Sequence, residues 1–152
     1  MPRRFEPFTW IVKEKMAASW WPDPPILERY KKEEISVIIN CSEFDNRNDI
    51  PNIFNYYHIN VPDYGLPTES QIETFLTICD KHGLNNESIV VHCVAGCGRT
   101  GQFLVAWGAK YGYIPRSMDP IKWIRKYRPC SLETKEQRNF ARKMAKKYQI
   151  IR

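Results

Sequence analysis

A cysteine and an arginine lie six residues apart in residues 90–101, which read VVHCVAGCGRTG. The β-branched run predicts a strand that ends at Cys93, and the glycine-bearing loop from there to Arg99 leads into a predicted helix. Amide N–H groups in such a loop converge on an anion, and the helix dipole adds positive potential. A cysteine in that field has a pKa of roughly 3.5–7.5 instead of about 8.5. Because Arg99 can hold two phosphate oxygens at once, the pattern predicts attack by a thiolate on a bound phosphate.

The second chemical group is a carboxylate. Expelling an alkoxide or phenolate from phosphorus needs a proton donor, and hydrolysis of the phosphocysteine that results needs a base. Asp63 lies thirty positions before Cys93, in the segment NVPDYGLP. Its prolines and glycine predict a loop at a strand end, where the side chain can reach the Cys93 edge of a parallel sheet. The alternative for Asp63 is an aspartate that only stabilises the turn.

Residues 92–100 resemble the His-Cys-x5-Arg-Ser/Thr signature of the cysteine-dependent protein tyrosine phosphatases. The resemblance covers most of the chain and is closest to the small atypical dual-specificity phosphatases, including compact archaeal-type members. It implies Cys93 as nucleophile and Asp63 as general acid. It also implies a phosphate-binding loop, made of Val94, Ala95, Gly96, Cys97, Gly98 and Arg99.

The resemblance implies three supporting roles. His92 packs behind the loop, where its ring hydrogen bonds fix the cysteine backbone. The Thr100 hydroxyl donates to the thiolate, although Thr100 is equally an ordinary residue at a helix N-terminus. Gln137 lies in a late loop where the family uses a Gln or Asn to position the hydrolytic water. Thr134 and Gln137 have the spacing of a capping box, so a purely structural role stays open.

Composition places the chain among ordinary globular proteins. Its 152 residues are 43% hydrophobic and 26% charged, which predicts a single domain over residues 1–152. The net charge of +6 is concentrated towards the end of the chain. Such a surface attracts anionic substrates, and nucleic acid remains a weaker alternative. No apolar run is long enough for a membrane span, and no secretory signal is recognisable. We expect a cytoplasmic monomer that acts on a phosphorylated protein or peptide.

Five cysteines are an odd count, and their spacing matches neither a disulfide framework nor a zinc site. We therefore expect a reducing compartment, no metal and no cofactor. Simple burial is the expectation for the four other cysteines: Cys41, Cys79, Cys97 and Cys130. One further hypothesis is that Cys97 or Cys41 traps an oxidised Cys93 as a reversible disulfide.

Hydrophobic periodicity predicts alternating strands and helices, and therefore an α/β fold with a mostly parallel sheet of four to five strands flanked by helices. The predicted strands cover residues 8–12, 16–18, 35–41, 56–61 and 88–92. The predicted helices cover residues 22–33, 68–83, 100–111, 120–127 and 134–149.

Several activities use the same kind of loop. Phosphotyrosine is the first expected substrate, with phosphoserine and phosphothreonine as further candidates. Phosphoinositide phosphatases carry lysines in this loop where Val94 and Cys97 stand here, and RNA 5′-triphosphatases also use it. A binding-only pseudophosphatase would lack the cysteine, the arginine or the acid, and this chain has all three.

Overall fold

The computed structural model describes residues 6–151, with side chains up to residue 149. Five strands form one sheet: β1 (Phe8–Val12), β2 (Met16–Ser19), β3 (Ile35–Asn40), β4 (Asn55–His58) and β5 (Ser88–His92). The helices are α1 (Pro24–Lys32), α2 (Glu69–Gly83), α3 (Gly98–Lys110), α4 (Pro120–Tyr127) and α5 (Lys135–Ile151). A short 3-10 turn covers Arg47–Asp49.

The strand order is β1-β2-β5-β3-β4, so β5 lies at the centre of the sheet. The β1–β2 pair is antiparallel, and the other three pairs are parallel. This confirms the predicted α/β fold with a mostly parallel sheet. The carboxyl ends of β3, β4 and β5 meet at one edge, and the segments that leave this edge carry Cys41, Asp63 and Cys93.

The central strands are apolar on both faces because helices cover both sides of the sheet. Val91 of β5 packs into the larger core with α2, α3, α4 and α5, whereas Val90 packs into the smaller core with α1. Every residue of β5 is buried, and its last residue, His92, is fully so. The strand that presents Cys93 is therefore fixed by packing on two sides.

Local capping sets where the helices begin. The Asp23 carboxylate accepts the Ile26 N–H at the start of α1, whose first two residues are prolines. Thr68 and Gln71 form the predicted capping box of α2. Asp119 caps α4 in the same way as Asp23 caps α1. No helix within residues 6–151 combines the length and apolar character needed to cross a membrane.

Several element boundaries differ from the sequence predictions. Strand β4 ends at His58 instead of residue 61, because the chain turns away towards the Asp63 loop. Strand β2 extends to Ser19, one residue beyond the prediction, and it pairs with both β1 and β5. Helix α3 begins at Gly98, two residues earlier than predicted, so Arg99 belongs to its first turn.

Gly108 lets α4 pack closely against α3. A Cβ on Gly108 would lie 2.5 Å from Trp123 Cη2 and 3.1 Å from Ile114 Cγ1. We expect Gly108→Ala to reduce the free energy of unfolding by about 1–3 kcal/mol, the usual cost of overpacking a core. The matched control is Gly83→Ala at the end of α2, where an added Cβ meets nothing within 4 Å. Chemical denaturation of both variants checks this; equal stabilities would contradict it.

Candidate active site

The loop after β5 turns its carbonyl groups outward. Val94 O accepts the Trp21 N–H at 2.8 Å, and Cys97 O accepts the N–H groups of Gly101 and Leu132. The carbonyls of Ala95 and Gly96 also accept donors from outside the loop. In a planar trans peptide the N–H points away from the carbonyl, and the described residues contain no cis peptide. The N–H groups of residues 95–98 therefore face the opposite side, where Cys93 lies.

Arg128 is the outside donor that holds two of these carbonyls. Its Nε donates to Gly96 O at 2.6 Å and its Nη2 donates to Ala95 O at 3.0 Å, while Nη1 reaches Thr9 Oγ1. The side chain is fully buried, and this burial lowers the Arg128 pKa to about 10. In the sequence Arg128 looks like one more of the basic residues near the end of the chain. It is instead an internal clamp behind the phosphate loop.

Gly96 is required by the loop geometry. Its φ is +75°, and a Cβ would collide with the carbonyl oxygen of Ser19 in β2. The Gly96 N–H donates to Cys93 Sγ, at 3.3 Å.

Cys93 is buried, with 3% of the residue exposed, and three hydrogen-bond donors face its sulfur. Thr100 Oγ1 donates to Sγ at 3.1 Å, the Gly96 N–H faces it, and the Cys41 thiol is hydrogen-bonded to it. The Cys41 bond is the largest influence that holds the Cys93 pKa well below its ordinary value, against the opposing effect of burial. Burial raises the pKa of Cys41 itself, so Cys41 stays a thiol and acts as the donor.

Arg99 lies in the first turn of α3, and its side chain is 4% exposed. Nη1 donates to Glu43 Oε1 at 2.7 Å and to Val61 O at 3.0 Å, and Nη2 lies 3.4 Å from Asp63 Oδ1. The guanidinium is thus held between the loops that follow β3 and β4. Its position at the helix N-terminus, beside the inward N–H groups, suits a tetrahedral anion.

Glu43 was not singled out from the sequence. One of its carboxylate oxygens binds Arg99, and the other accepts the Asp63 N–H at 3.2 Å. These bonds, led by that to Arg99, lower its pKa. Glu43 therefore joins the phosphate-binding arginine to the acid loop. Only its place just after a buried strand could have indicated this, and many surface glutamates share that place.

The Asp63 loop is anchored to two helices through one carbonyl. Gly65 O accepts Gln102 Nε2 of α3 at 3.1 Å and Gln137 Nε2 of α5 at 3.3 Å. The Asp63 side chain itself is 59% exposed, and Oδ1 accepts the Tyr64 N–H. The loop backbone is thus fixed while the carboxyl group is open to a ligand.

Gln137 forms the predicted capping box. Its N–H donates to Thr134 Oγ1 at 3.0 Å, and its Oε1 accepts the Thr134 N–H at 3.1 Å. Its Nε2 donates to Gly65 O in the Asp63 loop, so the amide also lies near the site. Both roles weighed from the sequence are thus compatible with its position.

His92 is fully buried beneath the loop. Its Nδ1 lies 3.0 Å from Cys93 O and its ring packs edge-on against Trp21. Burial lowers the His92 pKa to about 4, so the ring is neutral near pH 7 and Nδ1–H donates to the carbonyl. This geometry matches the fixing role implied by the resemblance.

Cys97 and Cys130 form a disulfide, with Cα atoms 5.3 Å apart. Simple burial was the expectation for these two residues, and Cys97 is indeed buried, but neither is a free thiol, because the loop after α4 folds back onto the phosphate loop and brings the two sulfurs together. The free cysteines among the described residues are Cys41, Cys79 and Cys93, all buried. With Cys97 bonded to Cys130, Cys41 is the thiol beside Cys93.

The disulfide should stabilise the protein by restricting the unfolded chain. For a separation of 33 residues, we expect its loss to lower the free energy of unfolding by about 3–4 kcal/mol in the chain-entropy model. Cys130→Ser tests this by denaturation with and without a reductant. Reductant should destabilise the parent and leave the variant unchanged. An equal response of the two proteins would contradict the expectation.

The thiolate donors predict a pH effect. We expect Thr100→Val to raise the Cys93 pKa, because a hydrogen bond to the charged form is lost. The pH midpoint of Cys93 alkylation by iodoacetamide should move upward, with a rate at pH 6 about tenfold lower than in the parent. Thr77→Val on α2, which removes a hydroxyl bonded to Glu73 O, is the control. An unmoved midpoint in Thr100→Val would contradict the assigned donor.

Comparisons with known proteins identify the family of the chain. Residues 19–113, more than half of the chain, match the family model Tc-R-P, "Polymorphic toxin system, DSP-PTPase phosphatase". Over 91 residues the chain is 33% identical to the uncharacterized protein MJECL20 of Methanocaldococcus jannaschii, covering 59% of each chain. It is 28% identical over 155 residues to human dual specificity protein phosphatase CDC14A, covering 91% of this chain but 25% of that protein. The chain thus spans about half to three fifths of the length of its first two relatives.

Solved structures share the fold. Tk-PTP in its active form superposes with a TM-score of 0.75 at 20% identity, covering 92% of this chain and 97% of that chain. PTPMT1 in complex with PI(5)P gives 0.73 at 14% identity, covering 96% and 99%. Together with the matched model, these findings show that the chain belongs to the DSP-PTPase family, as a small atypical dual-specificity phosphatase.

Proposed function

We propose that this protein hydrolyses phosphotyrosine in proteins or peptides through a phosphocysteine intermediate, with phosphoserine and phosphothreonine as further substrates. The observation that carries the proposal is the buried Cys93 sulfur with a lowered pKa, beside Arg99 and facing inward-pointing N–H groups. A nucleophile and an anion-binding group thus lie side by side.

Substrate binding uses the loop and the arginine. The phosphate dianion accepts hydrogen bonds from the N–H groups of the loop and from the Arg99 guanidinium. The bonds to the outward-facing carbonyls hold these N–H groups in place before the substrate binds. Such fixed donors stabilise the charge on the equatorial oxygens in the transition state without reorganising. Arg99 meets the phosphate by exchanging part of its bonding to Glu43 and Asp63.

The first chemical step transfers the phosphoryl group. Cys93 Sγ attacks phosphorus in line, so an S–P bond forms as the P–O bond to the substrate breaks. Asp63, protonated at this stage, gives its proton to the departing oxygen. The 59% exposure of the Asp63 side chain is consistent with a group that meets a leaving group at the protein surface.

The second step releases phosphate. The Asp63 carboxylate now takes a proton from water as the water oxygen attacks phosphorus, and the S–P bond breaks to return the thiolate. The Thr100 hydroxyl and the Cys41 thiol stabilise the returning charge. We assign Gln137 a supporting role in placing this water, since its amide reaches the acid loop.

Three exposed apolar side chains favour an aryl phosphate. Phe44, Tyr64 and Val94 are 58%, 63% and 47% exposed. They lie in the segments that follow β3, β4 and β5, which also carry the catalytic groups. Trp21 supports this rim by an edge-on contact with Phe44. A tyrosine ring can pack on such a rim. A second candidate, a phosphoinositide headgroup, is favoured by the PI(5)P complex of the structural neighbour PTPMT1.

The test is a panel of four substrates in EDTA, with and without vanadate: phosphotyrosine peptide, phosphothreonine peptide, phosphoinositide and 5′-triphosphate RNA. We expect vanadate-sensitive turnover that is fastest on the phosphotyrosine peptide. Preference for phosphoinositide or RNA would replace the proposed substrate class. Binding without turnover would indicate a pseudophosphatase, and turnover only with added divalent metal would overturn the mechanism.

Variants assign the roles within that panel. Cys93→Ser should abolish turnover and retain phosphopeptide binding. Asp63→Asn should slow hydrolysis of aryl phosphates with poor leaving groups by about 10²–10⁴ and affect good leaving groups much less. Asp49→Asn, at the exposed 3-10 turn, is the control. An Asp63→Asn effect below about tenfold would place the acid elsewhere.

A further inference from the structure

Glu133 is an ionisable side chain at the phosphate site that the mechanism above does not use. A Cβ on Gly98 would lie 2.5 Å from Glu133 Oε1, so the carboxyl group lies directly over the first residue of α3. Glu133 lies in the loop between α4 and α5 and is exposed to solvent. Glu133 thus approaches the same helix N-terminus that the phosphate is expected to occupy.

The Glu133 carboxyl group is close enough to the charged groups of the site to interact with them. Partial burial, followed by the charges of Cys93 and Asp63, raises the pKa of Glu133, and the Gly98 N–H partly opposes that rise. The helix itself lacks a side-chain cap, because Cys97 at the N-cap position makes no such bond. Glu133 therefore supplies the acceptor and the negative charge at the start of α3 that Cys97 does not provide.

Two other carboxylates, those of Glu43 and Asp63, belong to the same site. Together with Glu133 they form a set that we call the acidic rim. The first two contact Arg99, at 2.7 Å and 3.4 Å. The loop residues 94–98 contain no lysine or arginine to offset them. A bound phosphate is neutralised by Arg99 and the loop N–H groups, but a second phosphate beside it would face the acidic rim.

Resting on the proposed function, we propose that Glu133 is a specificity-determining residue that selects an isolated phosphate monoester over substrates with additional phosphate groups next to it. Like charges held a few ångströms apart near a protein surface repel strongly. The substrate class is therefore a phosphorylated side chain without clustered phosphates. Polyphosphorylated headgroups and 5′-triphosphates are disfavoured by the same charge.

The experiment measures anion binding without turnover. Calorimetry on Cys93→Ser gives the dissociation constants of inorganic phosphate and of tripolyphosphate, with and without the second substitution Glu133→Gln. We expect Glu133→Gln to lower the dissociation constant of tripolyphosphate about tenfold more than that of phosphate at low ionic strength. This difference should shrink as salt is added. The matched control is Glu136→Gln, an exposed glutamate in the first turn of α5, which should leave the ratio unchanged.

The outcomes are separable from those of the activity panel. Equal tightening of both anions, or no change in either, would overturn the role of Glu133 even if the phosphatase activity stands. If the parent protein shows no turnover in the substrate panel, the expected shift in the ratio would still support anion selection by Glu133, while the proposed reaction would be rejected. An equal shift in Glu136→Gln would show a general charge effect and would also overturn the assignment. Thermal unfolding of each variant confirms that the compared proteins are folded.

Discussion

The structure depends on keeping a negative charge on a buried sulfur. A thiolate removed from water is costly unless donors replace its hydration. Here Cys41, Thr100 and the Gly96 N–H face Cys93, and α3 begins beside it. Each donor belongs to a different segment, from the end of β3 to the first turn of α3. The fold can be understood as the scaffold that brings these donors to one point.

The phosphate loop is held from outside so that its inner face is free for a ligand. Arg128, Trp21 and Leu132 take the loop carbonyls, and the Cys97–Cys130 disulfide joins the loop to the segment after α4. A site whose donors are already oriented loses little energy in reorganisation when charge develops. The same constraint makes the loop sensitive to distant changes, because Arg128 and Cys130 both come from beyond α4.

The acid loop combines a fixed backbone with an open side chain. Gln102 and Gln137 hold Gly65 O, while Glu43 holds the Asp63 N–H and Arg99 together. Glu43, Asp63 and Glu133 then surround a site whose own loop carries no basic residue except Arg99. Attraction for one phosphate and repulsion of its neighbours thus come from residues a few ångströms apart. This arrangement links the proposed reaction to a choice of substrate.

The sequence by itself determined the strand and helix pattern, the parallel sheet, and the group of Cys93, Arg99, Thr100 and Asp63. These depend on local periodicity, turn residues and a short motif, all of which are contiguous in the chain. Only the tertiary structure decided the partners that come from far along the chain: Cys130 for Cys97, Arg128 behind the loop, Glu43 on Arg99 and Glu133 over Gly98. Isolated charged residues and cysteines look alike in sequence, because their roles are set by burial and by which neighbours the packed helices bring within reach.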